Sequence, residues 1–406
     1  MYQNRRIVIT GMGVVSPIGL DVDTFRNNLF NGLCGIESVR FPYRGKEVVF
    51  PAAPVKDFDV SKYMDAKKAN LLDRFSQMSV AAAMQAMEDS GLALTPESAE
   101  RTSVITGTGV GGQNTLEESY MKLLGDGMPR VHPFTIPRLM ANAGSSQISM
   151  ALGIKGPGFT VASACASAVH AMGVALHMMR SGLFDQAITG GAESCLTFGT
   201  LKGWEALRVM SPDVCRPFSA GRAGMIIGEG AAMFVLETME AAKARGAKIY
   251  AEFAGFGMSS DACDLTAPDA DGAARAVELC LKDAGLRPEE VDYINAHGTG
   301  TRINDATETQ VIKRVFNGHA RKLAVSSSKS MFGHALGAAG ALEMLATVLA
   351  MRENMAPPTI NYLGDDPECD LDYVPNEARK MRIDVALNNS FAFGGLNAVV
   401  AVKKPV

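Results

Sequence analysis

Cys165 is the residue of this 406-residue chain whose surroundings best suit covalent chemistry. It follows residues 158–162, which predict a short buried strand, and it precedes apolar residues at helical spacing that begin at Ala168. A cysteine is more often a small buried hydrophobe than a nucleophile. At a strand-to-helix turn, however, unpaired amide N–H groups and the positive end of the helix dipole favour the thiolate. The pattern therefore predicts an activated nucleophile, which needs a histidine from elsewhere in the chain.

Two of the six histidines lie where such a nucleophile could use them. His297 stands in NAHGTGT after a predicted strand over residues 291–294, and His334 stands in KSMFGHALG after a predicted strand over residues 323–325. A lone histidine more often caps a turn or satisfies a core hydrogen bond. In open α/β folds, however, ligands bind at the carboxyl ends of strands. Two histidines in glycine-rich loops at such ends predict a site shared with Cys165.

Two charged residues flank His334 along the chain. Lys329 precedes it among serines, and Glu343 follows it in an apolar helical run. The ordinary interpretation of Lys329 is a surface lysine, although a lysine here could bind a carboxylate or hold a histidine in one protonation state. A carboxylate among apolar residues needs a partner if it is buried. We therefore expect Lys329 and Glu343 to pair.

The C-terminal motif FAFGGLN places Phe391 and Phe393 before a pair of glycines and a closing strand. Paired glycines allow a backbone N–H to face a pocket, and the two phenylalanines could pack on an apolar chain or gate the pocket. Taken alone, the motif is also typical of an ordinary turn into a core strand.

Composition excludes several classes of protein. The net charge of −4, with 47% apolar and 20% charged residues, indicates a globular protein with a large core and argues against a nucleic-acid binder. The seven cysteines lack paired spacing, so neither a disulfide framework nor a zinc site is predicted, and a reducing cytoplasm fits best. The N-terminal apolar run is broken by glycines and a proline, which favours a first strand over a signal peptide. No run of about 18 apolar residues predicts a membrane span.

The chain repeats itself. Strand-like and helical runs alternate, which predicts a largely parallel α/β sheet covered by helices. Residues 81–112 resemble residues 274–301, since each segment reads as a helix, a short connection, a Pro-Glu helix start and a strand ending in Gly-Thr-Gly. Two copies predict a pseudo-symmetric pair and not a solenoid. We predict an N-terminal half over residues 1–247 that carries Cys165, and a C-terminal half over residues 248–406, opened by a strand over 248–252, that carries both histidines and Lys329.

Four motifs in order, ACASA, NAHGTGT, KSMFGHALGAAGALE and FAFGGLN, resemble those of the β-ketoacyl-acyl-carrier-protein synthases of the Cys-His-His type. The resemblance runs from ITGMGVVSPIG at the N-terminus through RPFSAGRAGMIIGEGAA and covers nearly the whole chain. It implies the thiolase-like αβαβα five-layered fold with two pseudo-symmetric halves, in a cytoplasmic homodimer. It also implies condensation of malonyl-acyl-carrier-protein with an enzyme-bound acyl thioester. No cofactor or metal of the enzyme's own is implied, because the phosphopantetheine arm arrives on the acyl carrier protein.

The resemblance assigns roles to the motif residues. Cys165 would carry the acyl group, and His297 and His334 would stabilise the enolate, with either one a candidate for handling the leaving carboxylate. The N–H groups of Cys165 and Phe393 would form the oxyanion hole. Lys329 would orient His334, held by Glu343 and Glu308, with Asp305 as a further supporting carboxylate.

The resemblance also implies a substrate pocket and a docking face for the acidic carrier protein. Thr299 and Thr301 would contact the pantetheine arm. Val110 would lie at the far end of the acyl pocket near the dimer partner, and Trp204, Phe391 and Phe393 would line that pocket. The docking candidates are Lys67, Lys68 and Arg208. Ala392 and Leu396 depart from the common bacterial form, and together with Trp204 they favour the nodulation- and polyketide-associated subgroup.

Two alternatives share the fold. A thiolase acting on acyl-coenzyme A would need a second catalytic cysteine near the C-terminus, and FAFGGLN has none. A non-catalytic partner subunit of the chain-length-factor kind would lack the nucleophile, and Cys165 is present. The residues do not specify the acyl chain length or the pathway.

Overall fold

The computed structural model describes residues 5–405, in which strands and helices alternate. Its strands in chain order are β1 (Ile7–Val15), β2 (Glu37–Tyr43), β3 (Lys46–Ala53), β4 (Thr102–Gly107), β5 (Gly158–Val161), β6 (Gln186–Glu193), β7 (Ile227–Gly228), β8 (Gly230–Thr238), β9 (Ala251–Ser260), β10 (Tyr293–Asn295), β11 (Ala324–Ser326), β12 (Met355–Ala356), β13 (Arg379–Lys380), β14 (Val385–Ala392) and β15 (Leu396–Lys403).

The α-helices lie between these strands in the chain. In chain order they are α1 (Val22–Phe30), α2 (Ala66–Ala69), α3 (Arg74–Ser90), α4 (Pro96–Glu100), α5 (Gln113–Tyr120), α6 (Thr135–Leu139), α7 (Ala143–Leu152), α8 (Ser167–Arg180), α9 (Phe198–Ala206), α10 (Met239–Ala244), α11 (Ala270–Ala284), α12 (Arg302–Phe316), α13 (Lys329–Phe332) and α14 (Ala339–Glu353).

The central sheet has ten strands in the order β11-β10-β14-β15-β9-β1-β8-β6-β4-β5. Each side of the β9–β1 junction holds five strands, and within each five the third strand in sequence is at the outer edge and the first is at the junction. The directions also repeat, since β4 pairs in parallel with β5 and β6 as β10 pairs with β11 and β14. The sheet topology therefore shows the duplication that the sequence predicts. The strand predicted to open the second half begins at Ala251, three residues later than predicted.

Helices α8 and α14 pack against each other and against strands from both halves of the sheet. Helices α3 and α7 cover the other face of the first half, and α11 and α12 cover that of the second half. Because each five-stranded half of the sheet forms one layer, the molecule has five layers, helix–sheet–helix–sheet–helix. The predicted thiolase-like class is confirmed. Helix α14 lies in the middle layer, where its residues 339–351 are all buried, which explains why its sequence carries no polar stripe.

Strand β5 differs from its prediction. It forms as expected before Cys165, but its residues are half-buried or exposed because it is the terminal strand of the sheet. An apolar strand at a sheet edge has the same sequence pattern as a buried one, so the pattern could not distinguish them.

Gly173 on α8 allows this helix to approach β9. A β-carbon at Gly173 would lie 2.3 Å from the nearest ring carbon of Phe256, so alanine there forces the helix and strand apart. We predict that Gly173→Ala lowers the free energy of unfolding by about 1–3 kcal/mol, measured by chemical denaturation. Gly203→Ala on α9 is the matched control, because no heavy atom lies within 4 Å of its β-carbon. Equal stabilities of the two variants would contradict this packing.

Candidate active site

Cys165 lies in the turn between β5 and α8. Ala164 before it has φ +50°, a left-handed conformation that bends the chain sharply at the end of the strand. His334 lies in the equivalent place of the second half, between β11 and α14, and His297 follows β10. The two halves therefore bring their strand ends, and with them these three side chains, to the same region.

These three residues line one cavity of about 680 Å³. The structure thus brings together the nucleophile and both histidines that the sequence singled out. Other predicted residues on its wall are Trp204, Arg208, Thr299, Thr301, Phe391 and Phe393. The exposed lining residues, which mark the opening, are Leu207, Arg208, Ala223, Leu265, Thr266, Arg302 and Ile303.

Hydrogen bonds define which nitrogen of each histidine carries a proton. The Leu336 N–H donates to Nδ1 of His334 over 3.2 Å, and the Lys329 ammonium lies 3.3 Å from Nδ1 of His297. Neither donor can accept a hydrogen bond, so both Nδ1 atoms are acceptors and each neutral ring carries its proton on Nε2. The ring centroids are 5.4 Å apart and the ring planes are nearly perpendicular, at 84°.

Both histidines are held neutral. Burial lowers the pKa of His297 well below its ordinary value, and the charge of Lys329 lowers it further. Burial and Lys329 have the same effect on the pKa of His334. The cavity therefore contains two imidazole N–H donors without a net positive charge on either ring.

Lys329 is completely buried, and its partners differ from the prediction. Its ammonium pairs with Glu343, donates to the carbonyl oxygen of His297 over 2.6 Å, and reaches Nδ1 of the same residue. The predicted pairing with Glu343 is thus present. The prediction that Lys329 orients His334 is wrong, because α13 directs its side chain to the end of β10. Burial raises the pKa of Glu343 to about 7, although the lysine opposes this.

Glu308 and Asp305 lie one turn apart on α12 and hold the loop that contains His297. Glu308 accepts the N–H groups of His297 and Gly298, and Asp305 accepts that of Gly300. The prediction that Glu308 holds Lys329 is therefore wrong, because its carboxylate is occupied by backbone donors. Burial raises the pKa of both carboxyls, that of Asp305 to about 7.

The Cys165 thiol is almost buried, and burial raises its pKa to about 11. The charge of Lys329 and a hydrogen bond from the Phe393 N–H act in the opposite direction. The resting group is consequently a thiol, whereas the turn geometry alone had predicted a thiolate. The oxyanion hole formed by the N–H groups of Cys165 and Phe393 stays a prediction, and the Phe393 N–H lies within hydrogen-bonding reach of the sulfur.

The remaining pocket residues divide into those inside the cavity and those outside it. The Trp204 ring lies 6.0 Å from that of Phe393, and the hydroxyls of Thr299 and Thr301 are 2.9 Å apart. Val110 was predicted at the far end of the pocket, but it does not line this cavity and is 49% exposed in the single chain.

Of the three predicted docking residues, only Arg208 lines the cavity. Arg208 is exposed at the cavity opening, whereas Lys67 and Lys68 belong to α2 and do not line the cavity. Arg302 at the opening was missed, together with the exposed apolar residues Leu207, Leu265 and Ile303. Arg302 directly follows the NAHGTGT motif, which was the available signal. Leu265 lies in a loop after β9 that no motif marks.

Residues 5–405 contain neither a candidate metal centre nor a helix that could span a membrane. No cluster of three or more histidine, cysteine, aspartate or glutamate side chains there has the arrangement of a metal site. None of the helices in that range has the length and apolarity needed to cross a bilayer.

Two family models match the chain. The model of the beta-ketoacyl synthase N-terminal domain matches residues 4–242, and that of the C-terminal domain matches residues 250–363. Nodulation protein E of Rhizobium sp. (strain N33) is 45% identical over 401 residues, which cover 99% of this chain and 100% of that protein. The 3-oxoacyl-acyl-carrier-protein synthase 2 of Staphylococcus aureus (strain COL) is 42% identical over 411 residues, covering 100% and 99%.

Solved structures show the same likeness. A structure described as the ishigamide ketosynthase/chain length factor superposes with a TM-score of 0.94 at 38% identity, covering 99% of this chain and 100% of that one. A chain of the AntDE:AntF complex, described as a type II PKS acyl-carrier protein in complex with its ketosynthase, superposes with a TM-score of 0.88 at 32% identity over 100% of both chains.

The high pKa of Cys165 has a direct consequence for its reactivity. Only the thiolate reacts with iodoacetamide, so we predict that alkylation of Cys165 still accelerates between pH 9 and pH 10, about tenfold per unit, as measured by peptide mass spectrometry. The exposed Cys34 and Cys263 in the same sample report the activity of the reagent. A rate at Cys165 that levels off below pH 8 would show that the resting group is a thiolate.

Proposed function

Because the chain belongs to the beta-ketoacyl synthase family, we propose that it condenses a malonyl thioester with an acyl group carried on Cys165 and so lengthens the acyl chain by two carbons. The observation that carries this proposal is the shared cavity of one thiol and two neutral histidines with Nε2 protons. The activity is that of an acyltransferase-type condensing enzyme, a 3-oxoacyl-acyl-carrier-protein synthase. Enzymes of this family use no added cofactor, since the phosphopantetheine group is on the acyl carrier protein.

In the first step, the Cys165 sulfur attacks the thioester carbonyl of the incoming acyl group. The carbon–sulfur bond to pantetheine breaks, and the thiol proton of Cys165 ends on the departing sulfur, so the exchange is balanced. Negative charge develops on the carbonyl oxygen of the tetrahedral intermediate. The N–H groups of Cys165 and Phe393 are the donors that we assign to this oxygen. The N-terminal end of α8 favours the same charge.

In the second step, a malonyl thioester enters the part of the cavity that the first pantetheine thiol has left. The bond between the malonyl α-carbon and the carboxylate carbon breaks, and carbon dioxide leaves. The electron pair of that bond stays on the α-carbon, which gives an enolate. The Nε2–H groups of His297 and His334 stabilise the enolate oxygen, which is why both rings must be neutral donors. The α-carbon then attacks the Cys165 thioester. A carbon–carbon bond forms, and the Cys165 thiolate leaves and regains a proton.

The buried charges hold this arrangement and do not react themselves. Lys329 keeps the proton of His297 on Nε2, and Glu343 balances the lysine charge. Glu308 and Asp305 fix the backbone of the loop over residues 297–301. We assign all four residues positioning roles.

The cavity accommodates both parts of the substrate. Thr299 and Thr301 present hydroxyls near its opening, where the polar pantetheine arm would lie. Trp204, Phe391 and Phe393 offer apolar surface for the acyl chain. Val110 lies outside this cavity in the single chain, so a role at the end of the acyl pocket requires a partner subunit to enclose it.

We propose that the substrate carrier is an acyl carrier protein. One solved relative is described as a ketosynthase in complex with its acyl-carrier protein, which supports the choice. The opening presents apolar side chains beside the exposed Arg208 and Arg302, a combination that suits an acidic partner with an apolar contact surface. This rim replaces Lys67 and Lys68 as the principal docking candidate.

We also propose a cytoplasmic homodimer. Strand β5 has one unpaired edge, and exposed apolar side chains suited to a protein interface include those of Val110, Phe134, Ile136, Met140 and Met150. The free cysteines suit a reducing compartment. A second candidate assembly is a heterodimer with a chain-length-factor subunit, because the solved relative with the TM-score of 0.94 is described as such a pair.

The catalytic assignment separates into two measurable steps. Cys165→Ala should abolish condensation because no acyl-enzyme can form. His297→Ala and His334→Ala should still acylate Cys165, but release of carbon dioxide from malonyl-acyl-carrier-protein should fall by about 10²- to 10³-fold, the effect of losing one oxyanion donor. Intact-mass spectrometry measures the acyl-enzyme, and carbon dioxide release measures decarboxylation.

Cys280→Ala is the matched control for loss of a buried cysteine, because Cys280 lies on α11 and does not line the cavity. It should condense at the rate of the unmodified enzyme. An acyl adduct on another residue in Cys165→Ala, or undiminished decarboxylation in either histidine variant, would overturn the assignment.

The proposed docking residues Arg208 and Arg302 at the cavity opening should affect KM for the carrier-bound substrate more than Lys67 does. Arg208→Glu and Arg302→Glu should each raise KM for the carrier-bound substrate by about twofold to fivefold and leave kcat unchanged, since an exposed ion pair contributes at most about 1 kcal/mol. Lys67→Glu on α2 should have a smaller effect. A pantetheine thioester without carrier protein is the control substrate, and its KM should not change. A larger effect at Lys67 would place the carrier on α2 instead.

A further inference from the structure

Glu193 is a buried carboxylate that the reaction above does not use. It is the last residue of β6, its side chain is fully buried, and it does not line the cavity. Across residues 5–405, no ion pair engages it. A carboxylate without a cation must be stabilised by hydrogen bonds, so its donors reveal what it holds in place.

The donors come from both halves of the chain. From the loop after β4, Glu193 accepts the Thr108 hydroxyl over 2.9 Å and the N–H groups of Gly109 and Val110. From the loop after His334 it accepts the Gly337 N–H over 3.0 Å. The Cys195 thiol also donates to it. Burial raises the pKa of Glu193, and the hydrogen bonds from these donors act against that shift. The donors are thus what stabilises the carboxylate in its buried position.

Leu336 connects the Gly337 contact to His334. Leu336, directly before Gly337, has φ +44°, an unfavourable conformation for leucine that the surrounding contacts must hold. In this conformation the Leu336 N–H donates to Nδ1 of His334. Glu193 thus holds the N–H of Gly337, the residue after the strained Leu336. The N–H of Leu336 itself donates to Nδ1 of His334.

The two loops approach so closely that no larger residue fits. A β-carbon at Gly337 would lie 2.0 Å from the Gly109 nitrogen, and one at Gly109 would lie 2.9 Å from the Glu193 carboxylate. The contact between the halves at this point is therefore made by backbone groups that share one carboxylate.

We propose that Glu193 is a positioning residue for His334. It holds the Gly337 N–H, which fixes the Leu336 turn, and the turn keeps the proton of His334 on Nε2. The consequence for decarboxylation rests on the proposed function of His334, whereas the effect on the histidine tautomer does not depend on it.

The test is Glu193→Gln in the full chain, because an amide keeps the size of the side chain but replaces one acceptor oxygen by a donor. Carbon dioxide release from malonyl-acyl-carrier-protein should fall by about tenfold to a hundredfold, the scale of a misplaced catalytic group, while acylation of Cys165 stays within about twofold. In protein labelled with ¹⁵N-histidine, the His334 imidazole signals should shift towards a mixture of tautomers, and the His297 signals should not move. His334→Ala assigns the signals.

Glu237→Gln is the matched control, since Glu237 is equally buried but binds Thr10 and Arg245. It should leave both the His334 signals and the ratio of the two activities unchanged. If Glu193→Gln does not fold, Glu193→Asp provides the same readout, because its shorter carboxylate cannot reach both loops. Unmoved His334 signals in a folded variant, or equal shifts of His297 and His334, would overturn the proposal. Absence of decarboxylation in the unmodified enzyme would instead refute the proposed function, and the tautomer measurement would still decide the role of Glu193.

Discussion

One buried positive charge, the ammonium of Lys329, acts together with burial on the pKa of every titratable group that the proposed reaction uses. It pairs with Glu343 and contacts both the carbonyl oxygen and Nδ1 of His297. Its charge lowers the pKa of both histidines and favours the thiolate of Cys165. A buried ion pair costs desolvation energy and contributes little net stability, so its retention here is best explained by its effect on these groups. The chemistry depends on neutral histidines, and burial and the lysine charge together keep them neutral.

The duplicated fold explains how distant parts of the chain meet around that charge. Each half places its third strand before a helix of the middle layer, so Cys165 and His334 arise at equivalent points of the two halves. The two middle helices pack closely at Gly340, where a β-carbon would lie 2.3 Å from the Val169 side chain. Glu193 joins the halves at a further point through backbone donors from both. The cavity is thus a consequence of pairing two similar units face to face.

Much of this could be predicted from the sequence, because motif residues and strand ends coincide. The repeat, Cys165 and both histidines followed from local patterns that the fold preserves. The histidine that Lys329 contacts did not, because Lys329 lies close to His334 along the chain while its contact to His297 crosses between strands. Glu193 carries no motif, and its role depends on donors from residues 108–110 and 337 that only the folded chain brings together. The burial of β5 was mispredicted because exposure at a sheet edge has no signature in an apolar sequence. The role of Val110 at the end of the acyl pocket stays a prediction.

The protonation of the two histidines tests most directly the account in which burial and Lys329 keep both rings neutral with the proton on Nε2. In unmodified protein labelled with ¹⁵N-histidine, the imidazole nitrogen shifts recorded between pH 6 and pH 9 report charge and tautomer. Because burial and the lysine both lower their pKa values, His297 and His334 should stay neutral across this range, with the proton on Nε2. A proton on Nδ1 of His297, or an imidazolium that forms near the ordinary histidine value of about 6.5, would contradict it.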